Sequence, residues 1–312
     1  MKKLFSVITA VAAAAAVALS VSAEFSSVTV LGDSIATGYG LEGYISGDNY
    51  SAADSFSSLL AQDAAVENFA VDGRTSGELL SALTGELSDC ARESDSVVIS
   101  IGGNDFLRPM FTAMQTALLS DPELLAQISS GEFDFSDFDP ASFAERYSAS
   151  MIEAAQAVDV GETAANLGAI VGEIHGQNPS CEIYLLTVYN PFAGGEGMEE
   201  ISSIAEDKLS QLNSAIKALE GVTVVDVYSA FKGHEAEYTN ILQWDIHPSS
   251  SGHAVIYSLL VDPESAVPTS ALAGEIPSKA SPETGAGSAA AAIGAAALAL
   301  SALILVRRKT AR

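Results

Sequence analysis

Five short apolar runs, each bounded by turn-forming residues, recur along the chain and predict five β-strands. Longer stretches with helical spacing separate them, at residues 54–62, 75–87, within 141–177 and at 199–219. Strands that alternate with helices usually form a parallel sheet covered on both faces. The pattern therefore predicts an α/β fold, a three-layer α/β/α sandwich with a five-stranded parallel sheet. The predicted strands lie at Val28 to Leu31, Val66 to Val71, Val97 to Ile101, Ile183 to Val188 and Val222 to Val227.

Residues that could take part in catalysis follow three of these predicted strands. Ser34 ends the tripeptide Gly32-Asp33-Ser34 after the first strand, Gly73 follows the second, and Asn104 follows the third in Gly102-Gly103-Asn104-Asp105. Reactive groups in parallel sheets gather beyond the carboxyl ends of the strands, so we expect these three residues at one edge. The spacing of Thr75-Ser76-Gly77-Glu78 is that of a capping box and predicts that a helix begins just after Gly73.

A serine hydroxyl becomes a good nucleophile only when a neighbouring base takes its proton. His247, in Trp244-Asp245-Ile246-His247-Pro248, is the favoured base because Pro248 rigidifies its loop, whereas His253 is expected to begin the closing helix. Attack on a carbonyl creates an oxyanion, for which the amides of Ser34 and Gly73 and the side chain of Asn104 are candidate donors. Asp33 is interpreted as a turn-forming residue rather than a catalytic carboxylate.

In order and context, these four blocks resemble those of the SGNH, or GDSL, family of esterases and lipases, over roughly residues 26–260. The resemblance implies a flavodoxin-like fold and a serine hydrolase that forms an acyl-enzyme at Ser34, with no cofactor and no metal. The family's aspartate most often lies three residues before the histidine, but position 244 is Trp and Asp245 lies only two before. Asp245 can still approach His247 if the segment is extended, and a backbone carbonyl is the alternative partner.

Residues 106–165 are too long for a simple connection, so we expect a helical insertion that forms a lid or a substrate wall. Its residues Phe106, Met110, Phe111 and Met114 either line an acyl pocket or form the insertion's own small core. The ester substrate is left open between an acyl lipid and an acetylated glycan. The alternative to an enzyme is a surface adhesin or glycan-binding module that keeps the fold without catalysis.

Both ends of the chain have the composition of targeting segments. Residues 1–23 read as a secretory signal peptide, with two lysines, an apolar stretch and a small-residue cleavage site. A linker at 262–280 leads to residues 281–312, where Thr284-Gly285 precedes the apolar segment 288–306 and a basic tail. This order resembles the LPXTG-like sorting signal of Gram-positive surface proteins, in which a sortase cuts between threonine and glycine and joins the threonine to the cell wall. The motif begins with Ser281 where leucine is the commonest residue, so the class of sortase is left open. The alternative interpretation of this segment is a plain membrane anchor.

Charge and cysteine content narrow the choice of partners and compartment. The predicted hydrolase domain spans residues 24–261. Together with the segment that follows it, up to residue 284, it carries 8 basic and 40 acidic side chains, a net charge of −32. Such a surface repels nucleic acid, so nucleic-acid partners are excluded, and it suits an exported protein at the cell surface. Cys90 and Cys181 are the only cysteines, and they form either one disulfide or two separate buried thiols.

Overall fold

The computed structural model describes residues 25–123, 125–126, 140–195, 198–243 and 245–262. The predicted signal peptide, nearly all of the linker, and the sorting signal with its apolar segment 288–306 lie outside these residues. Within the described ranges, no helix has the length and apolar character needed to cross a lipid bilayer.

A five-stranded sheet forms the centre of the fold, and all of its strand pairs are parallel. The strand order is β2-β1-β3-β4-β5, so the direction of winding reverses between β1 and β3. This confirms the predicted α/β fold, and a ligand site is expected where the winding reverses. The strands are β1 (Ser27–Gly32), β2 (Ala65–Asn68), β3 (Ser96–Ser100), β4 (Glu182–Leu186) and β5 (Thr223–Val225).

Helices cover both faces of this sheet. The helix after Gly73 begins with the predicted capping box: the Thr75 side chain accepts from the Glu78 amide, and the Glu78 side chain accepts from the Thr75 amide. The helices are α1 (Ser34–Thr37), α2 (Phe56–Leu60), α3 (Ser76–Leu83), α4 (Gly103–Leu119), α5 (Pro140–Ala157), α6 (Val160–Gln177), α7 (Glu199–Lys217), α8 (Val227–Phe231), α9 (Glu235–Tyr238) and α10 (Ser250–Val261).

Successive side chains of each strand point to opposite faces of the sheet, and this divides the core into two layers. Val97 and Ile99 of β3 pack with α3, α4, α6 and α7 on one face, whereas Val98 packs with α2, α8 and α10 on the other. Because successive side chains of a strand point to opposite faces, the fully apolar β3 contributes to both layers. The sheet is thereby held rigidly between the helices, and its carboxyl edge becomes a fixed platform for the loops above it.

The described parts of the long segment 106–165, which leave out residues 124 and 127–139, are partly integrated into the main domain. Helix α4 starts at Gly103, continues through Pro109 and packs against α5. Phe106 and Met110 belong to the core beneath the sheet, while Met114 joins a small separate cluster with Leu118 and Tyr147. The apolar residues that were predicted to act together in this insertion therefore lie in two different environments. The reason is that α4 runs outward from the carboxyl edge of the sheet.

Cys90 and Cys181 are free thiols in the structure rather than a disulfide. Cys181 is buried and Cys90 is half-buried, with its Sγ 3.8 Å from Gln177 Oε1. Burial is the main cause that raises the pKa of Cys90 to about 11 and also raises that of Cys181. A thiol with a raised pKa is mostly protonated at neutral pH and is a weak nucleophile.

Candidate active site

Ser34 is the first residue of α1, directly after β1. Strand β1 lies so close to β3 at Gly32 that a Cβ there would be 2.3 Å from the Ser100 carbonyl oxygen, so the position requires glycine. Asp33 caps α1, and its Oδ1 accepts from the amide of Ile35 at 3.0 Å. Ser34 is buried, with only 9% of its surface exposed.

His247 and Asp245 complete a hydrogen-bonded chain that begins at Ser34. The distance from Ser34 Oγ to His247 Nε2 is 2.9 Å, and His247 Nδ1 lies 2.5 Å from Asp245 Oδ1. Asp245 Oδ1 also accepts from the backbone amide of His247 at 3.0 Å. The Asp245 carboxylate therefore bonds both the backbone amide and the ring of the residue two positions after it, which is how it reaches His247 despite the short spacing.

The electrostatics of Asp245 suit a carboxylate that orients a histidine. Burial alone would raise its pKa, but the hydrogen bond and charge of His247, together with the His247 amide, hold the pKa below its ordinary value. Asp245 is therefore ionised at neutral pH and fixes the tautomer with the proton on Nδ1. Nε2 is left as the acceptor that faces the serine hydroxyl.

Two contacts hold the histidine loop against the domain. The hydroxyl of Tyr189 donates to the Ile246 carbonyl at 2.7 Å, and the Tyr39 ring lies 4.5 Å from the His247 ring, centroid to centroid. Gly40 passes directly beside Asp245, since a Cβ on Gly40 would be 2.5 Å from Asp245 Oδ2. The sequence did not predict these roles of Tyr39 and Gly40, because their only local signal is the glycine-rich turn after α1.

Gly73 and Asn104, the other predicted oxyanion donors, lie at the same edge. Asp72 accepts from Thr37 of α1 at 2.6 Å, and the Arg74 carbonyl accepts from Asn104 Nδ2 at 3.1 Å, so Gly73 lies between the serine turn and α4. Among the described residues, neither the Ser34 amide nor the Gly73 amide donates to another protein group. Both N–H groups can therefore bind an anion.

Asp33 is buried beneath this edge and joins the serine turn to Asn104. Its Oδ2 accepts from Asn104 Nδ2 at 3.3 Å. Loss of hydration raises its pKa to about 7, although the Ile35 amide and the charge of His247 oppose the shift. The turn-forming role that the sequence predicts for Asp33 is present, and the carboxylate also orients the Asn104 amide.

A narrow, partly open cleft adjoins Ser34, His247 and Asn104, and the volume of about 440 Å³ between its walls includes the solvent at its mouth. Most of its other side chains are apolar, so it can hold a hydrocarbon group next to the serine hydroxyl. Pro191, Leu209 and Ile246 were not identified from sequence because they come from separate loops and helices. The apolar lining consists of Phe106, Leu107, Val188, Tyr189, Pro191, Leu209 and Ile246, with Ile35 near the turn.

The remaining candidates lie away from this chemistry. His253 is fully buried in α10, where burial lowers its pKa to about 3, and its Nδ1 accepts from the Phe56 amide at 3.2 Å. It is therefore a neutral core residue, not a second base. In the part of the chain that the structure describes, no group of three or more His, Cys, Asp or Glu side chains could hold a metal ion.

Known proteins resemble this chain in sequence and fold. Residues 30–255 match the model of the GDSL-like lipase/acylhydrolase family. The spore germination lipase LipC of Bacillus licheniformis is 26% identical over 231 residues, which cover 72% of this chain and 90% of LipC. Phospholipase A1 of Streptomyces albidoflavus (TM-score 0.52) and the extracellular lipase of Streptomyces rimosus (TM-score 0.50) share the fold at 21% identity. These alignments cover 74% and 73% of this chain and 95% of each neighbour.

Proposed function

Because this chain belongs to the GDSL-like lipase/acylhydrolase family and is an ester hydrolase, we propose that it cleaves esters of apolar acyl chains through an acyl-enzyme at Ser34. The observation that carries the proposal is the hydrogen-bonded chain from Ser34 through His247 to Asp245 beside an apolar cleft. A nucleophile, a base and an orienting carboxylate within hydrogen-bond reach are the parts that acyl transfer requires.

In this mechanism, Ser34 Oγ attacks the ester carbonyl carbon while its proton passes to His247 Nε2. The carbonyl oxygen becomes an anion, which the amides of Ser34 and Gly73 would bind, and the Asn104 side chain would join them by releasing its 3.3 Å bond to Asp33. The tetrahedral intermediate collapses when the leaving alcohol takes the proton from His247, and the acyl group remains on Ser34. Water then attacks this ester with His247 as base, which releases the acid and restores the serine.

The apolar cleft favours an acyl lipid over an acetylated glycan as the substrate. An acetyl group would contact little of the surface formed by the cleft's apolar side chains, whereas a longer chain gains about 0.8 kcal/mol of favourable free energy per buried methylene. The similar LipC is named a lipase, which agrees with this choice.

A panel of p-nitrophenyl esters with two to sixteen acyl carbons, run beside acetylated xylan, tests the substrate class. We expect kcat/KM to rise beyond the acetate and to reach a maximum at an intermediate length. Val188, partly exposed in the cleft, offers a matched pair of variants. Val188→Phe should shorten the preferred chain with little change for the acetate, and Val188→Ala should not shorten it. Highest activity on acetylated xylan would instead assign a carbohydrate esterase.

The nucleophile is tested directly by Ser34→Ala. Loss of the nucleophile should reduce kcat by about 10⁶ while the protein stays folded, because the catalytic residues act as a unit. Circular dichroism provides the control for folding. Substantial ester hydrolysis by folded Ser34→Ala protein would show that Ser34 is not the nucleophile. The activity would then have to come from another site.

We also propose that the protein is exported and joined to the cell wall through Thr284. The support is the sequence order alone, in which Thr284-Gly285 precedes the apolar segment 288–306 and the basic cluster at 307–309. A Pro-x-Thr-Gly motif ahead of such a segment has no role in a plain membrane anchor. Mass spectrometry of the wall fraction should find Thr284 as the last residue, linked to wall material. Peptides that continue from Gly285 into the apolar segment would favour the membrane anchor.

A further inference from the structure

Gly73 has a backbone conformation that packing alone does not fix. Its φ of +74° lies in the left-handed region, and a Cβ built there would meet no atom within 4 Å. Glycine moves freely between positive and negative φ, so an unpacked glycine needs other restraints to hold one orientation of its peptide groups. The direction of the Gly73 N–H therefore depends on the hydrogen bonds of its neighbours.

Those hydrogen bonds come from both sides of Gly73. On the preceding side, the Asp72 carboxylate accepts from Thr37 Oγ1 at 2.6 Å and from the hydroxyl of Tyr44. On the following side, the Gly73 carbonyl oxygen accepts from the guanidinium of Arg108. The Asp72 contacts hold the residue before Gly73, and the Arg108 bond holds the peptide after it, so the φ and ψ rotations of Gly73 that turn its N–H are restricted from both sides.

Arg108 is itself held in place by Glu78. The two Nη atoms of Arg108 lie 2.6 and 2.8 Å from the two Glu78 carboxylate oxygens, a bidentate pair that sets the plane of the guanidinium. Hydrogen bonding by Arg108 is the main cause that lowers the pKa of Glu78 to about 2, so the pair is ionised at any working pH. Glu78 also caps α3, which ties the guanidinium to the helix that follows Gly73.

Helix α4 directs two further side chains at the same segment. Asn104 donates to the Arg74 carbonyl, and Asp105 accepts from the amide and hydroxyl of Ser76 at 2.8 and 2.5 Å. These contacts hold the chain after Gly73, whereas Arg108 alone among the three bonds to Gly73 itself. The first turns of α4 thus carry both the Asn104 amide and the guanidinium that holds the peptide after Gly73.

We propose that Arg108 is a positioning residue: by holding the peptide that follows Gly73 it restricts the φ and ψ of this glycine, which keeps the N–H of the preceding peptide pointed at the oxyanion of the tetrahedral intermediate. This inference rests on the proposed function, in which Gly73 is an oxyanion donor. The Arg108–Glu78 pair is about half exposed, so it contributes little to global stability. Its effect is therefore expected in the chemical step rather than in folding.

Steady-state kinetics of Arg108→Ala and Arg108→Lys test the proposal. Complete loss of one oxyanion donor lowers kcat by about 10² to 10³, and a donor that is only misdirected should cost about 10- to 100-fold. We expect that loss in kcat for Arg108→Ala, with KM within about twofold. Lysine has one nitrogen instead of the planar fork that gives Glu78 two parallel bonds from separate nitrogens while also reaching Gly73, so Arg108→Lys should restore only part of the rate.

Affinity for phenylboronic acid provides a readout that a merely structural role would not move. Its boron accepts an electron pair from Ser34 Oγ as the proton passes to His247, and the tetrahedral adduct carries negative charge into the oxyanion site. The inhibition constant should rise in parallel with the loss of kcat/KM. Arg92→Ala, which removes an exposed ion pair with Asp89, is the matched control and should leave both measurements unchanged.

Three results would overturn the proposal: an unchanged kcat in Arg108→Ala, a raised KM with kcat unchanged, or unchanged boronic acid affinity despite a lower kcat. A fall of the melting temperature by more than a few degrees in both Arg108 variants would assign a structural role instead. Failure of the proposed function can be distinguished from failure of the role proposed for Arg108. If the proposed function were wrong, wild-type protein would hydrolyse no ester and would behave like Ser34→Ala.

Discussion

Gly40→Ala tests whether the position of Asp245 depends on the turn after α1. A Cβ on Gly40 would lie 2.5 Å from Asp245 Oδ2 and 3.5 Å from both Asp245 Cγ and His247 Cβ. The first distance is about 1 Å shorter than the ~3.5 Å optimum for non-bonded heavy atoms. The carboxylate must therefore move or rotate, which disrupts its 2.5 Å contact with His247 Nδ1.

The size of the effect is bounded by known losses in catalytic sites. A displacement of about 1 Å in a catalytic group costs about 10²-fold in rate, and loss of the correct histidine tautomer costs about 10⁴-fold. We expect Gly40→Ala to lower kcat/KM for a p-nitrophenyl ester by about 10²-fold. The assay is steady-state hydrolysis at pH 8, with circular dichroism to confirm that the variant is folded.

Gly47→Ala is the matched control, because Gly47 has the same φ of +86° but a Cβ there would meet nothing within 4 Å. Both variants place alanine in the left-handed region at a cost of about 1–2 kcal/mol, so only the contact with Asp245 differs. In an Asp245→Ala background, Gly40→Ala should add no further loss. Equal activity of the Gly40 and Gly47 variants would refute the reasoning.

Three further predictions address orientation, charge and packing. Asp245→Asn should lower kcat by up to about 10⁴ if this carboxylate orients His247, and a near wild-type rate would leave a serine–histidine dyad. Asp33 has a pKa of about 7 in the folded protein against an ordinary value of 3.8, so its contribution to stability falls as pH rises from about 4 to 7. Urea unfolding should therefore show Asp33→Asn gaining stability over wild type between pH 5 and pH 8, by up to about 3 kcal/mol; a constant difference would contradict the shift. Gly252→Ala should destabilise the protein by about 1–3 kcal/mol in the same assay, since its Cβ would lie 2.0 Å from the Tyr238 carbonyl oxygen, and unchanged stability would contradict that contact.

The sequence by itself predicted the sheet, because each strand is a local apolar run and the periodicity of side chains records which surfaces are buried. The runs at 97–101 and 183–188 became β3 and β4 with small changes at their ends. The edge strands came out shorter than predicted: β2 ends at Asn68, whose side chain accepts from the Ala70 amide and turns the chain away. The capping box of α3 was also readable, since both of its partners lie within four residues.

Only the tertiary structure decided which distant groups meet. Ser34 and His247 are 213 residues apart, and the burial of His253 in α10 distinguishes the two histidines more firmly than their local sequence does. The contacts of Gly40 with Asp245 and of Arg108 with Gly73 have no local pattern, because they depend on how α1, α3 and α4 pack at one sheet edge. Periodicity specifies the face that a residue presents, whereas the partner it meets there is set by the packing of whole elements.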